Sequence, residues 1–228
     1  MTTFVLVPGA GGQASHWLWV APLLEAAGHQ AVAVELPAGD ESAGLAAYTG
    51  AIVAAARAAN TEPGCVVVAQ SMGGFSAPQA CADLGAARLV LVNAMIPAPG
   101  ETAGDWWAAT GQSAAYAAKA ATDGRDLDAE FDPVAVFFNG VAPEILAAAM
   151  AMPEPVQADR PFADPWPLAA WPDVRTEVLS STDDRMFPLD FQRRVAEDRL
   201  GITPVVLPGG HLPAFACPSE LAERLLAS

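Results

Sequence analysis

The chain has 228 residues, enough for one domain with a full hydrophobic core. With 53 % hydrophobic and only 16 % charged residues, it is excluded from the disordered class. A formal net charge of −15 argues against nucleic acid and anionic membranes as partners, because like charges repel; a solvated acidic surface accounts for it.

Residues 4–7, Phe4-Val5-Leu6-Val7, read as a buried strand ending in Pro8-Gly9-Ala10-Gly11-Gly12. This loop lacks the spacing of a dinucleotide fingerprint, and no Lys-Ser/Thr pair follows to make it a Walker loop. What remains is an oxyanion loop or an ordinary strand-to-helix turn. The spacing of Trp17, Val20, Leu23 and Leu24 predicts a helix over 16–27, stopped by Gly28, with His29 as a surface imidazole at its exit. A strand over 30–36 and an alanine-rich helix over 45–59 follow.

Residues 65–69 form another continuous apolar run, followed at once by Gln70-Ser71-Met72-Gly73-Gly74 and a helical pattern over 75–84. Strand, serine and glycine-led helix describe a nucleophile elbow, whose turn is so tight that its neighbours must be small. The usual pattern is Gly-x-Ser-x-Gly; here Ala69 takes the first small position. Taken alone, Ser71 reads equally well as a helix N-cap.

Residues 88–92 are the next buried strand. The regular alternation predicts a doubly wound, mostly parallel six-stranded α/β sheet, with its chemistry at the carboxyl ends of the strands. Residues 97–172 break that alternation with Pro, Gly, Trp and Met, and with helices near 105–120 and 143–150. They read as a helical cap inserted after the fourth strand of a single domain over 1–228. Some of Trp106, Trp107, Phe137, Phe138, Met150, Met152, Trp166 and Trp171 then line a pocket, although gluing cap to core is the commoner role for any one of them. The sheet resumes over 174–180 and ends in Ser181-Thr182-Asp183-Asp184. A helix over 188–200, a strand over 204–207, the loop Pro208-Gly209-Gly210-His211 and a helix over 218–227 close the chain.

Of the three histidines, only His211 sits on a glycine-flanked loop after a sheet strand. The order serine, acid, histidine is that of α/β-hydrolases and differs from the chymotrypsin and subtilisin orders. Ser71 Oγ would attack a carbonyl, His211 would take and return its proton, and a carboxylate at 183 or 184 would fix the imidazole. Met72 N–H and either Ala10 or Gly11 N–H would hold the oxyanion. Cys65, Cys81 and Cys217 lack metal-ligand spacing; Cys65 and Cys81 read as buried thiols of a reducing compartment. Residues 4–7 are too short for the apolar region of a secretory leader, and no run is long enough to span a membrane, so the expectation is a cytoplasmic protein.

Several stretches resemble the α/β-hydrolase superfamily, and within it the branch of plant methylesterases and plant-type hydroxynitrile lyases. They are residues 4–7, Gly9-Ala10, Trp17, Pro22-Leu23-Leu24-Glu25-Ala26-Ala27-Gly28-His29, Arg160-Pro161-Phe162, Phe191-Gln192 and Gly210-His211. The likeness covers nearly the whole chain and is weakest through the cap. It favours Asp184 over Asp183 as the triad acid through the run Asp184-Arg185-Met186-Phe187-Pro188. It implies Ser71, Asp184 and His211 as catalytic residues and Ala10 and Met72 as oxyanion donors, with no metal or organic cofactor. Pro8 and Gln70 depart from the histidines usual in the branch, and Ala69 from glycine. Plant-type lyases carry threonine where Ala10 stands and lysine where Leu212 stands. The expectation is therefore a serine hydrolase cleaving a small, apolar carboxylic ester through an acyl-enzyme. A hydroxynitrile-lyase-like C–C lyase and a catalytically silent small-ligand binder are the rivals. The expected partner is a small-molecule ester, with homodimerisation left open.

Overall fold

In the computed structural model, residues 1–227 are described; Ser228, the last residue of the expected domain, lies outside them. Six strands form one sheet: β1 (Thr3–Val7), β2 (Gln30–Ala33), β3 (Val66–Gln70), β4 (Arg88–Val92), β5 (Arg175–Ser181) and β6 (Val205–Leu207). Their order is β2-β1-β3-β4-β5-β6 and every pairing is parallel, rather than mostly so. Side chains alternate between two apolar cores. Val5, Val7, Val67, Ala69, Leu89 and Leu91 face one core; Phe4, Leu6, Val66, Val68, Val90 and Val92 face the other.

The first core is closed by α2 (Leu45–Ala58), α3 (Gly73–Leu84) and α9 (Leu189–Leu200), through Ile52, Phe75 and Val195 among others. The second is closed by a 3₁₀ turn over Ala14–Trp17, by α1 (Ala21–Ala26), and by α10 (Pro213–Ala216) and α11 (Pro218–Leu226). Chain order turns outward from β1 to β2 and then returns across β1 to β3. That reversal opens a crevice at the carboxyl ends of β1 and β3, where doubly wound sheets bind ligands. No described helix is long and apolar enough to cross a membrane.

Where the structure differs from the sequence reading, local chemistry explains it. The helix expected over 16–27 is a 3₁₀ turn followed by the shorter α1, because Pro22 lacks an N–H and belongs in a first turn. The strand expected over 30–36 stops at Ala33; Leu36 N–H leaves the sheet for Gly12 O. His29 is not a free surface imidazole. Its Nδ1 accepts from Thr2 N–H at 3.2 Å, and its ring meets Phe4 edge-on.

Five helices lie between β4 and β5: α4 (Ala103–Thr110), α5 (Gln112–Thr122), α6 (Pro133–Phe137), α7 (Pro143–Met150) and α8 (Arg160–Ala163). The single helix expected over 105–120 is α4 and α5, broken at Gly111, whose φ of 69° is left-handed.

Candidate active site

Because all strands run parallel, the loops after β1, β3, β4, β5 and β6 meet on one edge. Ser71 follows β3 with φ of 50°, a left-handed conformation that costs a non-glycine residue about 1–3 kcal/mol. Three bonds hold it there: Ser71 N–H donates to Val92 O, and Ser71 O accepts from Gly74 N–H and Met95 N–H. Ser71 is not the helix N-cap; Met72 occupies that position. The glycines around it are required by space. A Cβ on Gly73 would lie 2.8 Å from Pro8 O, and one on Gly74 would run into the Met95 carbonyl. Ala69 is tolerated because its methyl points into the first core.

His211 follows β6, with its Nε2 3.1 Å from Ser71 Oγ and its Nδ1 2.8 Å from Asp184 Oδ2. Phe187 meets the imidazole edge-on at 5.0 Å and Phe137 tilts against it at 5.6 Å, so the ring has little freedom to turn. Asp184 is fully buried, a costly place for a carboxylate unless its oxygens are satisfied. Met186 and Phe187 N–H donate to Oδ1, and Gln192 Nε2 joins His211 at Oδ2. Asp183 instead points away. It pairs with Lys119 Nζ at 2.7 Å and accepts from Asn139 Nδ2.

The β1 loop lies directly against the elbow: a Cβ on Gly9 would come within 2.8 Å of Ser71 Cβ. Gly11 N–H donates to Gln157 Oε1 at 2.9 Å and is therefore taken. Among the described residues, neither Ala10 N–H nor Met72 N–H has a protein acceptor. Of the two amides weighed for the oxyanion, Gly11 N–H is engaged and Ala10 N–H is not.

Two supporting side chains were not assigned roles from the sequence. Asn93, at the end of β4 with φ of 44°, donates through Nδ2 to Ser181 Oγ, Gly210 O and His211 O, and accepts Ser181 N–H at Oδ1. Gln70 Nε2 also donates to His211 O, at 3.2 Å. A polar residue ending a buried apolar run is the signal in each case. His16 was missed too. It lines the same cavity, and burial, aided by nearby His211, pushes its pKa down to about 3.

That cavity holds about 680 Å³, a volume suited to a small organic ligand. Its walls include Ser71, Met72, Ala10 and His211 from the sheet edge. Trp107, Phe137, Phe138, Met150 and Met152 come from the segment between β4 and β5. Trp106 and Trp166 do not line it; both are fully buried in the first core, and Trp171 stacks on Trp166.

A buried strand–serine–helix elbow with an imidazole and a carboxylate in line defines a hydrolase-type site. The chain belongs to the alpha/beta hydrolase family, whose model matches residues 4–224. A comparison with curated proteins gives no match. Among solved structures, polyneuridine aldehyde esterase is similar at TM-score 0.79 and 21 % identity, over 100 % of this chain and 98 % of that one. A methylesterase from Arabidopsis gives 0.75 and 20 %, over 100 % and 98 %. A pyrethroid hydrolase from Sphingobium faniae JZ-2 gives 0.72 and 23 %, over 99 % and 96 %.

Proposed function

We propose that this protein is a carboxylic ester hydrolase of the methylesterase-like branch, acting on a small, largely apolar ester through an acyl-enzyme. The observation that carries this reading is the unbroken relay from Asp184 Oδ2 through His211 to Ser71 Oγ, beside two unengaged amides. Similar structures named esterase, methylesterase and pyrethroid hydrolase agree with it.

In the first half-reaction Ser71 Oγ bonds to the ester carbonyl carbon while its proton passes to His211 Nε2. The carbonyl oxygen, now negative, is held by Ala10 and Met72 N–H. Asp184 keeps the tautomer that leaves Nε2 free to accept and steadies the imidazolium. The bond to the alcohol oxygen then breaks, and His211 returns the proton to it. In the second half-reaction His211 takes a proton from water, hydroxide equivalent adds to the acyl carbon, and the acid leaves as Ser71 recovers its proton. No step draws on a metal or organic cofactor. Residues 97–172 act as a cap that covers the crevice and supplies the apolar wall.

A C–C lyase reading is less well supported. Ala10 offers no hydroxyl to hold a cyanohydrin, and Leu212 offers no cation to stabilise departing cyanide. The test is a fluorophosphonate probe followed by peptide mapping, with turnover measured on an aryl acetate, a methyl ester and mandelonitrile. The proposal expects adduct on Ser71 and ester turnover. Label at Ser76 or Ser181 with Ser71 untouched would refute it, as would cyanide release without ester turnover.

A further inference from the structure

The cavity has two unlike walls on either side of Ser71 and His211. One is built from Met95, Trp107, Phe162, Met186 and Phe187, which pack on the first core and carry no ionisable group. The other is built on Leu212 and Phe215, which follow His211 in the chain, and on Phe138. Set into this second wall is His16, from the 3₁₀ turn after the β1 loop. Its ring is fixed edge-on against Trp17 at 4.9 Å and Phe215 at 5.2 Å. Its Nε2 is buried with no hydrogen-bond partner, and no described residue bonds to either ring nitrogen.

Nδ1, equally without a partner, is the nitrogen that keeps accessible surface, so it is the one a ligand in the cavity can reach. Covering it without supplying a hydrogen bond would cost about 1–3 kcal/mol. Nothing in the triad needs this imidazole. His211 must hand its proton to the leaving alcohol, which places the alcohol half of an ester on the His211 side. His16 lies within electrostatic reach of His211, and its ring packs on Phe215, four residues further along the chain from His211.

Building on the esterase reading, we infer that His16 is a specificity-determining residue. It makes a hydrogen bond to a second, uncharged oxygen on the alcohol half of the substrate, while the acyl half is wholly apolar. The substrate class is an ester of an alcohol bearing a further hydroxyl, carbonyl or ether oxygen a few atoms from the ester. The oxygen is uncharged because the imidazole itself is neutral at ordinary pH and offers a carboxylate no counter-charge. Ser15, also in the cavity lining, adds a hydroxyl beside it.

The test measures calorimetric Kd values on the Ser71→Ala protein, where esters bind without being consumed. Three probes are used: butyl phenylacetate, 3-hydroxypropyl phenylacetate and butyl 4-hydroxyphenylacetate. The first two are near-isosteric and differ in one alcohol-side oxygen; the third carries its hydroxyl on the acyl half. Adding His16→Phe keeps the ring against Trp17 and Phe215 but removes both nitrogens. It should shift the Kd ratio of the first two probes against the hydroxypropyl ester by about 2- to 10-fold, the worth of one neutral hydrogen bond. His16→Gln, which restores a donor and an acceptor, should move the ratio back. A ratio that does not move, a shift that follows the acyl-side hydroxyl instead, or no binding of the hydroxypropyl ester overturns the inference. Turnover of butyl phenylacetate by the native protein reports separately on the esterase reading, since these affinities do not depend on it.

Discussion

The two halves of the site are built by different physics. The sheet edge is a closed hydrogen-bond system: Asn93 and Gln70 hold the His211 carbonyl, four donors surround Asp184, and glycines fill spaces that admit no Cβ. The segment over 97–172 is a set of short helices with looser burial; α7 has no fully buried residue, and Met150 is half exposed. It is bonded to the sheet edge and its flanking elements at several points, including Arg199 to Glu101, Lys119 to Asp183, Leu45 N–H to Asp164 and Gly11 N–H to Gln157, but no described residue of α7 hydrogen-bonds outside the segment. Asn139 bonds the Asp183 carbonyl, Arg185 bonds Ala135 O, and Gln112 bonds Met186 O. A rigid edge suits groups that must keep sub-ångström geometry, while a thinly buried wall such as α7 can change shape with the ligand. Chemistry should therefore fail sharply when the edge is altered, and selectivity should drift when the segment over 97–172 is altered.

The largest expected effect is at Ser71, the proposed nucleophile. Ser71→Ala should cost about 10⁶-fold in kcat, the scale seen when a triad serine is lost, while circular dichroism and Tm show a folded protein. A loss below about 10-fold would place the chemistry elsewhere. Next comes the acid. Asp184→Asn should cost about 10⁴-fold, because the imidazole tautomer is no longer held. Asp183→Asn, one residue away, removes only its pairing with Lys119 and Asn139 and should cost far less. Equal losses from the two variants would contradict the separation between edge and tether.

This contrast also explains what the sequence could tell. The elbow was legible because a tight turn admits few residue types, so Ser71-Met72-Gly73-Gly74 carries its own geometry. His211 and the acid loop were legible from order and from following sheet strands. The strand over 88–92 matches its expected bounds, because its apolar run, buried on both faces, is bracketed by Arg88 and Asn93. The segment over 97–172 was legible as an interruption and little more. An apolar side chain there satisfies packing and pocket lining equally, so nothing in the sequence separates Trp107, which lines the cavity, from its neighbour Trp106, which is buried in the core. The breaks at Pro22 and Gly111 were written in the sequence, but the apolar periodicity continues across both residues.

The prediction for this segment follows. Met150→Ala should change the ratio of kcat/KM between a long-chain and a short-chain acyl ester several-fold, since each buried methylene is worth about 0.8 kcal/mol. Its exposure means that Tm should hardly move, as for most surface substitutions. An unchanged ratio with a lowered Tm would make this residue part of the scaffold and erase the distinction drawn above.

The last effect is one of pH and stability rather than turnover and falls on His16, where the rigid edge meets the variable wall. Burial holds its folded-state pKa near 3, below the ordinary value of 6.5. Above pH 6.5 the imidazole is neutral in both folded and unfolded chains and contributes no pH dependence. As pH falls through 6.5, the unfolded chain takes up a proton that the folded chain refuses, so the unfolded state binds more protons and stability declines. The decline continues toward pH 3, where the folded form protonates too, and its limiting slope for one group is about 1.4 kcal/mol per pH unit. Carboxylates also titrate in the lower part of that window, so the informative quantity is the difference between native protein and His16→Phe. Urea unfolding at pH 7.5, 6.5, 5.5 and 4.5 should show the variant losing less stability than the native chain at each step below 6.5. Parallel curves would mean that His16 protonates freely in the fold, and would remove the neutral imidazole on which a bond to an uncharged oxygen depends.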